Sequence, residues 1–232
     1  MFLGRVTALD QLDVARAEAG VAVVTGVAGV GKTTLAVRWA HRNRARFPDG
    51  QLFVDLHGSD RDGDDEGAGV TARQALRRFL RALGVPAERV PDDVDEAAAL
   101  LRTALDGRRI LVVLDDAADA EAVLPLLPGE PGCFTVITSR SGLPHVVARC
   151  GARTVGLDAL PVLDAVRLLR VRVGPRRRPT GDELTALAEA CGGVPSALSL
   201  AAARLSAEPD LSPVVLADQL RGTRPRLRSV AG

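Results

Sequence analysis

The sequence predicts an α/β protein, with a parallel sheet covered by helices up to about residue 157 and a small all-helical subdomain after it. Three observations carry that expectation. Short apolar, β-branched runs alternate with segments of helical period through the first two thirds of the chain, a pattern that requires crossover connections and buries both sheet faces. The first of these runs ends in a glycine-rich turn that opens straight into a helical pattern. Beyond Pro161 no strand-like run recurs. The expected division is therefore residues 1–157 and residues 158–232.

Taken in order, Thr7 followed three residues later by Asp10 has the form of a capping box, and Leu9, Leu12 and Ala15 continue at helical spacing. A first helix is predicted to about residue 19. VAVVT (21–25) reads as a strand, and the spacing of Leu35, Val37 and Trp39 predicts a helix from Gly31 to about Arg46. QLFVDL (51–56) is a second strand, 71–83 and 94–105 are helices, and RRILVVL (108–114) is a strand apolar on both faces. A short helix near 118–125, a strand FTVIT (134–138) and the run ARTVGL (152–157) complete the first part. The second part offers helical segments at 161–173, 181–191, 195–206 and 212–221. GSDRDGDDEGAG (58–69), acidic, Gly-rich and without core-forming residues, and the Arg-rich Gly/Pro segment VRVGPRRRPTG (171–181) read as solvated loops.

Composition narrows the function classes. A length of 232 residues with 47% hydrophobic residues is enough to build a core by packing, without disulfides or a structural metal. The net charge of +1 makes any anion site a local one. Aromatic residues are only 3%, with no Tyr, which argues against a reader of single-stranded nucleic acid, whose bases need stacking partners. Cys133, Cys150 and Cys191 form no CxxC pair, and His41, His57 and His145 have no metal-ligand spacing. The N-terminus lacks a signal peptide and no apolar run reaches the ~18 residues of a membrane span. The expectation is a cytoplasmic protein without membrane contact.

Among 30 basic residues there is a single lysine, Lys32. A chain that uses Arg nearly everywhere keeps its one Lys where a compact, flexible ammonium is needed. Lys32 falls inside Gly26-Val27-Ala28-Gly29-Val30-Gly31-Lys32-Thr33, which fits G-x-x-x-x-G-K-[ST] and lies between a strand and a helix, the context the motif requires. Such a loop wraps a phosphate chain with backbone N–H groups, helped by the partial positive charge of the helix N-terminus. Lys32 is expected on the β- and γ-phosphates, Thr33 on Mg²⁺, and Thr34 beside them at the start of the helix. ATP or ADP with Mg²⁺ is the expected ligand set; with one lysine in the chain there is no guanine-reading NKxD element.

ILVVLDD (110–116) ends an apolar strand in Asp115 and Asp116, at the carboxyl edge where open α/β sheets bind ligands. Asp115 is the candidate for Mg²⁺, through water, and Asp116 for polarising an attacking water. Two acids after a strand also serve as a helix N-cap, and that reading stands beside the first. FTVIT runs into Ser139 and Arg140, whose guanidinium is positioned to meet a γ-phosphate or to pair with a nearby carboxylate. Pro195 reads, on residue type, as a helix-starting proline.

With these residues in place the chain resembles the NB-ARC or AP-ATPase branch of the STAND NTPases. Phe2-Leu3-Gly4-Arg5 resembles the hhGR element, followed by the phosphate loop, Phe53-Val54-Asp55-Leu56, the Walker B segment Leu114-Asp115-Asp116, Thr138-Ser139-Arg140, and Gly193-Val194-Pro195 as the GxP motif. The set spans essentially the whole chain, and FVDLHG is similar to the ATPase region of actinobacterial antibiotic-pathway transcriptional regulators. The resemblance implies a 5-1-4-3-2 sheet and a lid carrying GxP, with Leu3 and Arg5 bordering adenine and Pro195 packing on the base. It also implies slow ATP hydrolysis, self-association in the ATP form, and a DNA-binding or effector domain outside this segment. The winged helix that follows GxP in the family has no counterpart before Gly232, so the chain reads as an ATPase core. The alternative is an ADP-locked scaffold without turnover. DNA binding by Arg170, Arg172 and Arg176 to Arg178 is not expected.

Overall fold

The computed structural model describes residues 3–57, 69–174 and 179–223. Five of the apolar runs become five parallel strands: β1 (Val21–Thr25), β2 (Gly50–Asp55), β3 (Ile110–Ala117), β4 (Phe134–Ser139) and β5 (Arg153–Gly156). Their order is β2-β3-β4-β1-β5, which is the expected 5-1-4-3-2 read from the other edge. Val23 stands opposite Ile137 and Thr154, and Val113 opposite Phe53 and Val136. Full burial of β3 and β4 along nearly their whole length explains why both read as continuous apolar runs rather than alternating ones.

Contacts divide the chain into two units. The sheet unit comprises Val6–Ala28 and Lys32–Leu157, and the helical unit comprises Met1–Arg5, Gly29–Gly31 and Asp158–Gly232.

In the sheet unit, α1 (Val6–Glu18) and α2 (Lys32–Asn43) are followed by α3 (Ala72–Ala82), α4 (Val94–Leu105), the single-turn α5 (Ala120–Val123) and α6 (Pro144–Cys150). α2 buries Leu35, Ala36, Trp39 and Ala40, one stripe at helical spacing. Trp39 lies 5.2 Å, centroid to centroid, from Phe134, and its Nε1–H donates to Asp13 Oδ1 at 2.9 Å, which ties α2 to α1. Leu76, Phe79, Leu80 and Leu101 fill the core with Leu52, Val54, Val112 and Ile137 from the strands. α3 opens on a reciprocal capping box, Thr71 with Gln74, and α4 on Asp93, which accepts from the N–H groups of Asp95 and Glu96.

Three expectations need correction. α1 begins at Val6, so Thr7 lies within its first turn instead of capping it. α6 is a helix absent from the sequence reading, opened by Pro144 at its first turn. β3 runs through both aspartates to Ala117, with a register shift against β4 between Leu114 and Ala117. The extra residue is a β-bulge, and Asp116 within it takes a left-handed φ of +50°.

The helical unit is built from α7 (Val162–Val173), α8 (Gly181–Ala190), α9 (Pro195–Ala207) and α10 (Pro213–Thr223). Ala165, Leu169, Leu184, Leu187, Leu198, Leu205 and Leu216 make its core. Thr180 and Glu183 cap α8 reciprocally, and Pro195 starts α9. No described helix is long and apolar enough to cross a membrane.

Candidate functional site

Five of the sequence-predicted side chains, Lys32, Thr33, Asp115, Asp116 and Arg140, come together at the carboxyl edge of the sheet. β1 delivers the chain out of the sheet at Thr25, and the loop that follows carries Gly29 and Gly31 at φ +73° and +101°, backbone conformations that side chains disfavour. α2 then starts at Lys32, so the N–H groups of its first turn have no helical carbonyl to satisfy them. Lys32 is 8% exposed, and its ammonium donates to the carbonyls of Gly26 and Val27 at 2.8 and 3.1 Å. Burial depresses its pKa, with Asp116 pulling it up, Arg140 pushing it down and Asp115 pulling it up. A cation held among neutral carbonyls with little water is placed to take a polyanion.

The hydroxyl of Thr33, an exposed residue one step further, donates to Asp115 Oδ2 at 2.9 Å. Asp115 is only 4% exposed and receives a second bond at Oδ1 from Thr138 Oγ1, at 2.5 Å. Thr138 Oγ1 in turn accepts the backbone N–H of Asp116 at 2.9 Å. The bulge makes this possible: two residues of β3 oppose one of β4, so one hydroxyl serves both aspartates. Burial raises the pKa of Asp115; the bonds from Thr138 and Thr33 lower it, and the charges of Asp55 and Asp116 raise it further. Asp55 ends β2 opposite Asp115 in register.

Arg140 follows β4, with Nε 4.0 Å from Asp116 Oδ1. The carboxylate pairing is thus present, and a γ-phosphate would lie on the same edge of the sheet. Thr34 is exposed in the first turn of α2, as are Val27 and Ala28 in the loop. Among the described residues there is no cluster of three or more His, Cys, Asp or Glu able to hold a metal. Mg²⁺ does not need one, because it keeps several waters and takes one or two protein oxygens beside the phosphates. The hydroxyl of Thr33 and the carboxylate of Asp115, already within 2.9 Å of each other, are the hard oxygen donors such a site uses.

Within the helical unit, Leu3 is partly buried against the core, while Phe2 lies outside the described residues. Arg5 is buried, and its two terminal nitrogens donate to Asp158 O at 2.7 Å and Val30 O at 3.0 Å. Pro195 is the first residue of α9, as the helix-starting reading expects. Arg170 and Arg172 are exposed in the last turn of α7, while Arg176 to Arg178 and most of the acidic loop at 58–69 lie outside the described residues.

Sequence reasoning did not assign a role to Thr138 or Asp55. Both were visible as polar residues ending buried strands, which was the available signal; the bulge that joins Thr138 to both aspartates left no mark in the sequence.

Residues 15–128 match the AAA domain family. The regulatory protein AfsR of Streptomyces griseus is 46% identical over 213 residues, which cover 89% of this chain and 20% of that protein. The chain thus spans about a fifth of that relative's length. Among solved structures, the Walker-type ATPase of Pyrococcus abyssi superposes with a TM-score of 0.66 at 13% identity, over 94% of this chain and 71% of that one. A signal transduction ATPase with numerous domains (STAND) and a tetratricopeptide repeat sensor, from Pyrococcus horikoshii, gives 0.56 at 22% identity, over 95% and 32%. The fold is that of the P-loop NTPases.

Proposed function

We propose that this chain is the nucleotide-binding core of a larger transcriptional regulator, a STAND-type switch of the NB-ARC or AP-ATPase kind that binds ATP and ADP with Mg²⁺ and hydrolyses ATP slowly. One observation carries the reading: the hydrogen-bonded series Thr33–Asp115–Thr138–Asp116, which links the phosphate loop to two adjacent strand ends beside a buried Lys32. The match to an AAA domain and the identity with AfsR support the ATPase and regulator parts of it.

Lys32 would leave the carbonyls of Gly26 and Val27 for the β- and γ-phosphates. Thr33 and Asp115 would hold Mg²⁺, which when bound neutralises phosphate charge. Thr138 keeps Asp115 oriented by donating to Oδ1 and keeps Asp116 in place through its N–H. Asp116 would accept the proton of the attacking water, and Arg140, now facing Asp116, would turn to the γ-phosphate. ATP in place of ADP would then bias the chain towards a self-associating form through these differential contacts. The domains for DNA binding or output belong to the parent protein beyond this segment.

A second reading, an ADP-holding scaffold without turnover, draws support from the 4.0 Å approach of Arg140 to Asp116, which pairs the carboxylate that would otherwise meet an attacking water. Steady-state phosphate release decides between them. The switch reading expects release above background that falls about 100-fold or more in Asp116→Asn, with ADP affinity within a few-fold of wild type. Release at background in the folded wild type decides for the scaffold.

A further inference from the structure

Two hydrogen bonds of the helical unit end on the backbone of the phosphate loop. Arg5, 9% exposed, donates to Val30 O at 3.0 Å through one terminal nitrogen and to Asp158 O at 2.7 Å through the other. The N–H of Ser196, in the first turn of α9, donates to Gly29 O at 3.1 Å. The fit is close: a Cβ added to Gly29 would lie 1.9 Å from Ser196 Oγ.

A peptide unit is planar and trans, so the C=O of one residue and the N–H of the next point in opposite directions within one rigid plane. Holding the carbonyl of Val30 therefore aims the N–H of Gly31, and holding that of Gly29 aims the N–H of Val30. Those are N–H groups that a loop of this sequence turns towards phosphate. We infer that Arg5 is a positioning residue for the phosphate chain, acting through the Val30–Gly31 peptide, with the Ser196 N–H as its companion on the Gly29–Val30 peptide. This rests on the nucleotide-binding reading above and changes the role that the family resemblance implies for Arg5. Its forked guanidinium reaches two carbonyls at once, which a lysine ammonium on a flexible stem does not reproduce.

The test uses a ligand without a base. Mg²⁺-pyrophosphate and Mg²⁺-ADP are titrated calorimetrically into wild type, Arg5→Met and Arg5→Lys, at a temperature where circular dichroism shows all three fully folded, so that lost stability does not enter the affinities. Both variants are expected to bind pyrophosphate and ADP more weakly by a similar factor, about tenfold for loss of a charge-assisted bond. Should Arg5→Met fail to fold, Arg5→Lys, which keeps charge and stem, supplies the same comparison. Unchanged pyrophosphate affinity with weakened ADP would make Arg5 a base contact and overturn the inference, as would full rescue by lysine. A folded wild type that binds neither ligand would instead overturn the nucleotide-binding reading itself, and is seen before any variant is compared.

Discussion

At Asp115 and Lys32 the protein carries charge in places from which water is largely excluded, and each pKa is moved by burial in the direction that disfavours the charged form. The sign for stability follows. A carboxyl whose folded pKa lies above its unfolded value favours the folded state at low pH, and that advantage is lost as pH rises through the folded value. At pH above the folded pKa of Asp115, its buried carboxylate therefore costs the fold stability. Asp115→Asn is expected to raise the melting temperature of the nucleotide-free chain at pH 7.5, by about 2–4 °C for each kcal/mol recovered, and to shrink that gain as pH is lowered through the carboxylate range. The same variant is expected to lose the stabilisation that Mg²⁺-ADP gives the wild type; scanning calorimetry at several pH values checks both. A lower melting temperature at pH 7.5 would mean that the bonds from Thr33 and Thr138 outweigh the buried charge. Lys32, Thr33 and Asp115 were legible as candidates because their chemistry is written in residue type and spacing. The partners of Thr138 and Arg5 were not, because a hydroxyl or guanidinium bonds to whatever the fold brings near, and here the acceptors are a carboxylate on the next strand and backbone carbonyls remote in sequence.

Among the elements, those that showed themselves had either an apolar run or a sustained helical period. α2, α4 and α7 to α9 lie within a few residues of their expected bounds because their buried positions recur at helical spacing. α6 has only seven residues, too few for a period to show. The bulge in β3 depends on the bond from the Asp116 N–H across to β4, a tertiary feature without a local signature. The turn between α8 and α9 rests on a more local constraint. Gly193 has φ +66°, its carbonyl accepts the N–H of Leu160 at 2.9 Å, and a Cβ there would stand 2.5 Å from the Leu160 carbonyl oxygen. Gly193→Ala combines left-handed strain with a backbone collision and is expected to lower stability by about 1–3 kcal/mol. Urea unfolding followed by far-ultraviolet circular dichroism measures it. A change below ~0.5 kcal/mol, the range of ordinary surface substitutions, would show that the turn relaxes freely.

For the whole molecule, the alternation of strands and helices was enough to give the α/β class with a parallel sheet. The order β2-β3-β4-β1-β5 was legible only through the family resemblance, because alternation alone fixes neither which strand is central nor which lie at the edges. Composition pointed the same way as the fold: a chain with one lysine spends it as the first residue of the helix after β1. The central claim is that the site so assembled captures a nucleotide, and the most direct test is calorimetric titration of Mg²⁺-ADP and Mg²⁺-ATP into the chain and into its Lys32→Ala variant. The prediction is one-to-one binding of both nucleotides by the wild type, lost or weakened by about 100-fold or more in a variant that remains folded, since the desolvated cation facing the phosphates is gone. Absence of ADP and ATP binding by the correctly folded wild type, or equal affinity in Lys32→Ala, would contradict it.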